Sequence, residues 1–341
     1  MNALSSASAD SLRAALAAVL DGLPPNRAAQ AVERLIANYR GTTPTDAPVL
    51  RDRSDVAAYA AYRMPATFEA VRGALCALRE AAPDWEPRGH TDVGGGTGAA
   101  GWAVAEAWAE EPPRTTVLDW AEPALALGRE LAAGVFDAEW RRERIGAALR
   151  LDDSDLVTVS YVLKELTEAD RTALVAEAAR AAQAVVIVEP GTPDGYERII
   201  AARTQLIDAG FTVAAPCPHS GACPIVPGTD WCHFSARVSR SSLHRKVKGG
   251  SLPYEDEKYA YVVAVLPQAL GFARAGGTPL PVTPAVSRIT RRPQIRKGLV
   301  QLELCGPDGL ARDTVTKRHG PLYKQARDAE WGDAWPPEED L

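Results

Sequence analysis

The sequence predicts an α/β fold built on a parallel, doubly wound sheet. Three observations predict it: short β-branched runs alternate with helical segments, a glycine-rich loop follows the first such run, and the composition is that of a soluble globular protein. Of the 341 residues, 46% are hydrophobic and 24% are charged. No apolar run approaches the roughly 20 residues that a membrane span needs. The Ala-rich N-terminus has no basic leader, which predicts a cytoplasmic protein with no membrane partner.

The predicted elements begin with helices and continue with strands. Residues 9–40 are expected to form two helices broken at Pro24-Pro25, and Ser54–Ala81 a third, interrupted near Pro65 with Thr67 as a cap. Cys76 falls in an apolar part of that helix and is expected in the core. Helical segments separate most of the strands, which implies a parallel sheet. The predicted strands are Thr91–Val93, Thr115–Leu118, Asp155–Val159, Ala184–Val188, Phe211–Ala214 and Tyr259–Val265.

The glycine loop, Gly94-Gly95-Gly96-Thr97-Gly98, is a candidate cofactor site. Glycines let the backbone approach a ligand closely, and the following helix N-terminus offers free N–H groups. Gly96–Gly101 formally fits a dinucleotide pattern, with Asp119 where a ribose-binding acid would stand. However, a dinucleotide fold normally begins with a buried apolar strand, whereas His90, Thr91 and Asp92 lead into this loop. This polar lead-in weighs against NAD, and the similarity of Asp92–Gly98 to class I methyltransferases favours S-adenosylmethionine.

The stretch Asp92–Gly98 resembles the acid-x-Gly-x-Gly-x-Gly signature of class I methyltransferases. That resemblance implies that Asp92 helps to hold the methionine amino group and that Asp119 takes the ribose hydroxyls. Gly94, Gly96 and Gly98 would lie under the ligand. Asp155–Leu166 resembles the fourth strand of that fold and its following loop. The predicted organisation is an N-terminal helical region (1–85), a methyltransferase-like domain (86–268) with a cysteine-rich insertion (215–258), and a basic, β-rich C-terminal module with a tail (269–341).

Four of the five cysteines are candidate metal ligands. Cys217, Cys223 and Cys232 crowd into sixteen residues, and Cys305 is the remaining candidate for a fourth ligand. Clustered thiols in a cytoplasmic chain indicate a metal. Four thiolates can hold an iron–sulfur cluster, and zinc could use three of them with His219 or His233. Unligated thiols are a further alternative, as is a Pro216-Cys217 nucleophile like that of RNA 5-methylcytosine enzymes, although it follows a later strand than in those enzymes.

Charge is distributed unevenly along the chain. The net charge is -6, yet residues 217–327 hold 17 Lys and Arg against 7 Asp and Glu. Two runs of cations contain no acid, and such runs can contact successive phosphates. The sequence therefore predicts RNA binding. The runs comprise Arg237, Arg240, Arg245, Lys246 and Lys248, and then Arg288, Arg291, Arg292, Arg296 and Lys297.

From about residue 45 to the C-terminus the sequence is similar to the mitochondrial small-ribosomal-subunit assembly family of methyltransferase-like proteins, which has bacterial members. The resemblance implies a class I methyltransferase fold, binding to the maturing small ribosomal subunit, and a 4Fe–4S cluster on Cys217, Cys223, Cys232 and Cys305. It is carried by the stretches Ala57–Val71, Thr91–Gly98, Val117–Trp120, Asp155–Leu166, Val186–Gly191, Cys217–Pro224, Asp230–Phe234, Ser242–Val262, Leu304–Gly309 and Lys317–Trp335.

The sequence assigns no catalytic residue. Ser160-Tyr161-Val162 stands where amine-directed methyltransferases carry Asn/Asp-Pro-Pro-Tyr, and Glu165 and His244 are candidate bases only by their chemistry. Two functions follow: a methyltransferase acting on small-subunit ribosomal RNA, or a non-catalytic, RNA-binding assembly factor that uses the cofactor domain as a scaffold around a structural metal site. The oligomeric state is not predicted.

Overall fold

The computed structural model describes residues 4–20, 26, 28–33, 53–226, 228–241, 245, 251–266 and 284–337. The predicted break at Pro24-Pro25, the linker before residue 284 and the acidic tail lie outside these ranges, as does His244. The helices are α1 (Leu4–Leu20), α2 (Arg53–Ala81), α3 (Ala99–Ala107), α4 (Glu122–Ala132), α5 (Glu168–Ala181), α6 (Pro193–Asp208) and α7 (Pro321–Asp328). The strands are β1 (Gly89–Val93), β2 (Arg114–Asp119), β3 (Ala138–Arg142), β4 (Ser154–Ser160), β5 (Ala182–Pro190), β6 (Thr212–Ala215), β7 (Phe234–Ser239), β8 (Tyr254–Val265), β9 (Ser287–Ile289), β10 (Gln294–Arg296), β11 (Leu299–Gly306), β12 (Gly309–Thr316) and β13 (Ala334–Trp335).

The main sheet has the strand order β3-β2-β1-β4-β5-β8-β6, and β7 pairs with β8. The strands from β3 to β5 are parallel, whereas β8 runs antiparallel to both of its sheet neighbours, β5 and β6. This order, with one antiparallel strand between the fifth and sixth, is that of the class I methyltransferase fold and confirms the predicted fold class. The expectation of a parallel sheet is corrected in one respect, because the sheet is mixed.

The long helix α2 runs without interruption through Pro65. The predicted break there, with Thr67 as a new cap, is wrong. A proline inside a helix removes one hydrogen bond and crowds the preceding turn. Here α2 is rich in alanine and buries residues along most of its length, from Val56 to Ala81, so tertiary packing keeps it helical. Cys76, expected in the core, lies exposed on this helix.

Two strands of the main sheet lie outside the predicted set, and one begins earlier than expected. β3 is an edge strand of sequence AEWRR with no fully buried residue, so it lacks the apolar pattern of a core strand. β7 is the antiparallel partner of the first half of β8. That half, Tyr254–Lys258, alternates between exposed and half-buried residues, whereas the predicted part, Tyr259–Val265, is buried throughout. The predicted boundary at Lys258 therefore falls inside a strand.

The C-terminal residues form a separate antiparallel sheet, in agreement with the predicted β-rich module. Its centre is β11, which pairs with β10, β12 and β9, and β13 pairs with β9. β11 alternates strictly, so that Val300, Leu302 and Leu304 face a small core covered by α7. Cys305 consequently points away from that core. The domain boundaries given above stay a prediction, and no helix in the described ranges is long and apolar enough to cross a membrane.

Candidate functional site

The glycine loop leaves β1 at the carboxyl edge of the main sheet. Its backbone is anchored because the amides of Gly94 and Gly95 donate to the carbonyl of Leu118, at 2.8 and 3.2 Å. Gly94, Gly96 and Gly98 all have positive φ, which L residues with a side chain rarely adopt. A Cβ on Gly96 would meet only the Asp119 carboxylate, at 3.8 Å. The loop thus presents bare backbone to an open space beside Asp119.

Asp92 is the most unusual carboxylate of this edge. It is fully buried; its Oδ1 accepts from the Thr158 hydroxyl at 2.8 Å, and its Oδ2 has no hydrogen-bond partner. Burial raises its pKa to about 7. A buried carboxylate oxygen without a donor is costly in free energy, so the site is complementary to a cationic or N–H-bearing ligand.

A hydrogen-bonded chain orients Asp92 from behind. His90 Nε2 lies 2.9 Å from Thr158 Oγ1, which itself donates to Asp92, and His90 Nδ1 lies 3.2 Å from Thr115 Oγ1. Because the Thr158 hydroxyl gives its proton to Asp92, His90 Nε2 is the donor in its contact. Burial lowers the His90 pKa to about 3, so the ring is neutral. The sequence does not point to His90 or Thr158 as site residues, since only the register of β2, β1 and β4 brings them together.

Asp119 closes the other side of the loop. Its Oδ2 accepts from the Gly96 amide at 2.9 Å and its Oδ1 from the Ala121 amide at 2.8 Å. Burial raises its pKa, and the backbone hydrogen bonds partly offset that shift. Each oxygen keeps a lone pair for a ligand hydroxyl. The Trp120 side chain beside it is 42% exposed, a flat apolar surface next to the carboxylate.

The chain leaves β4 through Tyr161, a non-glycine residue in the described ranges with positive φ, at 63°. Its hydroxyl donates to Glu257 at 3.0 Å. Arg63 pairs with Glu257 at 3.1 Å and places its guanidinium 4.8 Å from the centre of the Tyr161 ring. We call Arg63, Tyr161 and Glu257 the β4 clamp. It joins α2, the β4 loop and β8 at the edge where the glycine loop lies.

The four predicted metal ligands converge although they come from distant parts of the chain. Cys217, Cys223, Cys232 and Cys305 all line one cavity of about 580 Å³, a volume that includes its open mouth. All four are free thiols. Burial raises the pKa of Cys217, Cys232 and Cys305, and their mutual proximity adds to the shift. The hydroxyl of Tyr196 lies 3.2 Å from the Cys223 sulfur.

Three arginines lie at this cavity, and two of them also pair with acids: Arg288 with Glu80 at 3.8 Å and Arg291 with Asp230 at 2.6 Å. Arg203 and Arg288 line it and are each only 3% exposed, and Arg291 lies close enough to oppose the shift in the pKa of Cys232. Arg203 donates to the carbonyls of His219 and Gly221, and its Nε has no partner. No carboxylate of the described residues pairs with it. A buried guanidinium facing four thiols favours an anionic occupant, since an unpaired buried charge is costly.

The cavity does not have the geometry of a single-ion site. Within the described residues, no group of three or more His, Cys, Asp or Glu side chains is arranged to hold a metal ion. A tetrahedral zinc needs each ligand atom at about 2.0–2.3 Å. A four-iron cluster places its own iron and sulfide atoms between four cysteines, so it accepts thiols that are farther apart. The structure therefore brings the four cysteines together as the lining of one cavity and shows no ligand arrangement for a metal ion among the described residues.

Much of the predicted basic surface is neutralised or buried. Arg237 pairs with Asp256 and Arg240 with Glu255, both across the β7–β8 ribbon. In the second run, Arg288 is buried and donates to the Pro216 carbonyl at 3.1 Å, and Arg291 pairs with Asp230 at 2.6 Å. The expectation that both complete runs face RNA is therefore wrong for the buried Arg288 and stays a prediction for the three ion-paired arginines. Lys246 and Lys248 lie outside the described residues.

Comparison with known proteins identifies the family. The model of the family described as mitochondrial small ribosomal subunit Rsm22 matches residues 53–336. The chain belongs to the Rsm22 family. Two relatives from Schizosaccharomyces pombe, the mitochondrial Rsm22-cox11 tandem proteins 1 and 2, are each 29% identical over 182 residues, covering 45% of this chain and 24% of the relative. The match thus spans about a quarter of the length of these relatives.

Solved structures are similar at the level of fold. The N-methyltransferase NodS from Bradyrhizobium japonicum, in complex with S-adenosyl-L-homocysteine, is 16% identical, with 59% of this chain and 88% of that chain covered and a TM-score of 0.38. Magnesium protoporphyrin IX methyltransferase from Synechocystis, with bound S-adenosyl-L-homocysteine, is 14% identical, with 59% and 83% covered and a TM-score of 0.38.

Proposed function

We propose that this protein is an S-adenosylmethionine-binding factor of the small ribosomal subunit that carries a 4Fe–4S cluster. The observation that carries the cofactor assignment is the buried, partnerless Oδ2 of Asp92 at the edge of the glycine loop. The cofactor has a cationic amino group that this oxygen can accept from, and a ribose whose hydroxyls suit Asp119. Gly96 leaves open the space beside Asp119, where a side chain at this position would stand.

Calorimetry with the full chain tests this assignment. S-adenosylmethionine should bind and NAD should bind more weakly or not at all. S-adenosylhomocysteine should bind too, because it keeps the amino group and the ribose. Tighter binding of NAD than of S-adenosylmethionine would reverse the assignment.

The cluster is proposed on Cys217, Cys223, Cys232 and Cys305. The shared cavity and the buried Arg203, which pairs with no carboxylate of the described residues, support it, and zinc is the lesser alternative. When bound, the cluster would supply a covalent tie between residues 217–232 and β11 of the C-terminal sheet. The surrounding arginines would hold its negative charge, and Arg288 would in addition fix β9 to Pro216.

Metal analysis of protein purified without oxygen tests the cluster. Iron and acid-labile sulfide should both be present, and replacing any of the four cysteines by serine should remove both. Cys76→Ser is the matched control, because Cys76 is the fifth cysteine, lies exposed on α2 and does not line the cavity. Stoichiometric zinc without sulfide would refute the cluster.

Membership of the Rsm22 family supports the small ribosomal subunit and its RNA as the partner. Co-sedimentation with purified small subunits tests this directly, and its absence would remove the proposed partner. For location we keep the sequence-based proposal of the cytoplasm, whereas the names of the two relatives place those proteins in mitochondria.

A non-catalytic role is the second candidate, and the β4 clamp favours it. Tyr161 follows β4, where amine-directed methyltransferases carry their acceptor-binding motif, and here its hydroxyl is committed to Glu257, which in turn pairs with Arg63. Incubation of small-subunit RNA with methyl-labelled S-adenosylmethionine distinguishes the two candidates. Labelled RNA supports a methyltransferase, and cofactor binding without transfer supports a scaffold.

A further inference from the structure

Four exposed cations of the C-terminal sheet lie on two turns that touch. The first turn is Lys297-Gly298, which joins β10 to β11 in a hairpin where Arg296 lies opposite Leu299. Gly298 has φ of 83°, a positive value that glycine adopts without steric cost. The second turn is the 3-10 helix Lys317–His319 that follows β12.

Backbone contacts hold these two turns side by side. The amide of Lys317 donates to the carbonyl of Gly298 at 3.2 Å. Leu299, at the start of β11, lies opposite Thr316, at the end of β12. Arg296, Lys297, Lys317 and Arg318 therefore share one corner of the sheet, and we call these four residues the basic corner.

The basic corner has no acidic partners among the described residues. All four side chains are exposed, and none forms an ion pair with a carboxylate of the described chain. The side-chain contact of Arg296 is a hydrogen bond to the Gln294 amide oxygen at 3.5 Å. The sequence contains no Asp or Glu over residues 288–302 or 314–327. Adjacent exposed charges of one sign create a local potential that attracts a polyanion.

The backbone of this corner is fixed, although its long side chains extend into solvent. The Thr316 amide donates to His319 Nδ1 at 3.1 Å, which leaves His319 Nε2 to carry the ring proton and to act as a donor. Val300 and Val315, which follow and precede the two turns, are buried in the core of the C-terminal sheet. The cationic groups are thus mounted on rigid structure, which lowers the entropy cost of binding.

We propose that the basic corner binds the phosphate backbone of small-subunit RNA. The proposal rests on the proposed function and adds to it the surface through which the chain contacts its partner. Protein-binding surfaces are enriched in aromatic residues and depleted of lysine at their centre, whereas nucleic-acid-binding surfaces are strongly positive. The corner has four cations, and the exposed apolar residue adjacent to it in sequence is Ile295; this predominance of charge favours RNA over an acidic protein.

A matched pair of charge-reversal variants of the full chain tests the proposal. The test variant combines Lys297→Glu, Lys317→Glu and Arg318→Glu. The control variant combines Arg88→Glu, Arg114→Glu and Arg129→Glu, which lie exposed on the methyltransferase-like part of the chain. Both variants change the net charge equally. Both should bind S-adenosylmethionine like the wild type, which verifies that they are folded.

Binding is measured with purified small subunits and with protein-free RNA extracted from them, from about 50 to about 200 mM salt. The test variant should bind at least about tenfold more weakly to both. For the test variant, the slope of log affinity against log salt concentration should be shallower by about 0.7–0.9 for each phosphate that it no longer neutralises. The control variant should behave like the wild type.

The outcomes separate this proposal from the proposed function. If the wild type does not bind small subunits, the proposed function fails. If it binds and the test variant matches it, the partner stands and the basic corner is not its binding surface. If the test variant loses binding to subunits while neither protein binds extracted RNA, the corner contacts a ribosomal protein and the RNA proposal is overturned.

Discussion

Replacing Asp92 by asparagine tests the central assignment of the cofactor site through stability as well as binding. In the unfolded chain an aspartate has a pKa near 3.8, whereas burial raises the pKa of Asp92 in the ligand-free fold to about 7. Between these values the folded protein binds more protons than the unfolded chain. The free energy of unfolding therefore falls as the pH rises through this window and levels off above about pH 7.

The size of the expected stability change follows from the raised pKa of Asp92. About three pKa units correspond to about 4 kcal/mol, which is an upper limit for the cost of the ionised carboxylate. Asparagine removes that cost, but its amide nitrogen replaces the partnerless oxygen beside Gly95 and stays unsatisfied, at about 1–3 kcal/mol. The ligand-free variant should thus be more stable than the wild type above pH 7, by about 1–3 kcal/mol.

The two predicted effects of Asp92→Asn have opposite signs. Without ligand the variant gains stability at high pH, yet it should lose S-adenosylmethionine binding because an amide nitrogen faces the amino group. In the wild type, ligand binding should release a proton near neutral pH, since a cationic group favours the carboxylate form of Asp92.

Urea unfolding from about pH 5 to about pH 8.5, with and without S-adenosylmethionine, measures both effects. Asp155→Asn is the control. Asp155 also accepts backbone hydrogen bonds, from Arg88 at 2.7 Å and Gly89 at 3.0 Å, but at the amino end of β4. Asp155→Asn should therefore destabilise the fold and keep ligand binding. Parallel pH profiles for wild type and Asp92→Asn would refute the burial argument, and unchanged ligand affinity would refute the assigned contact.

Three further changes test the loop and the cysteine cavity. Gly96→Ala should abolish S-adenosylmethionine binding in calorimetry. Gly134→Ala, also at a positive φ but with open space around the added Cβ, should lower the free energy of unfolding by about 1–2 kcal/mol and keep binding. Arg203→Met should lower the iron content of anaerobically purified protein, because the buried cation no longer offsets the charge of the cluster. Cys305→Ser should speed amide hydrogen exchange in β9 and β11, since metal binding also stabilises the fold; unchanged iron content or exchange would contradict these two expectations.

The cofactor loop can be predicted from sequence because its residues are contiguous. Asp92 and the glycines occupy one short stretch, and their spacing carries the backbone geometry with it. His90 and Thr158 cannot be found in the same way, since they meet only through the pairing of β1 with β4. The polar character of the strand that leads into the loop is visible in the sequence, but its hydrogen-bonding role depends on strand register.

The ion-pair partners of the basic runs cannot be predicted from sequence, because a linear pattern of charge gives no information about partners across a sheet. Arg237 lies directly opposite Asp256 in the β7–β8 pair, and Arg240 reaches Glu255. Neither acid is near those arginines in sequence. Cys305 is an intermediate case. Its proposed role as fourth ligand follows from its being the remaining candidate cysteine and from the family resemblance. Its position on the face opposite the module core follows from the alternation of β11 once the strand is known.

The arrangement of the strands predicts that the two proposed ligand sites are nearly independent. Asp119 and Asp92 lie on β2 and β1, whereas β8, whose Ala260 and Tyr261 line the cysteine cavity, is separated from β1 by β4 and β5. The β4 clamp is one connection between these parts of the sheet, through Glu257 on β8 and Tyr161 after β4. One partly buried ion pair and one hydrogen bond carry little coupling free energy.

Removing the cluster should therefore change the affinity for S-adenosylmethionine by less than about fivefold, the lower end of typical allosteric coupling. Calorimetry on the wild type and on Cys232→Ser measures this difference. Glu257→Gln weakens the clamp and should leave the affinity within the same range. A larger loss in Cys232→Ser that Glu257→Gln reproduces would show that β8 transmits the state of the cysteine cavity to the cofactor edge, and the two sites would then act as one coupled unit.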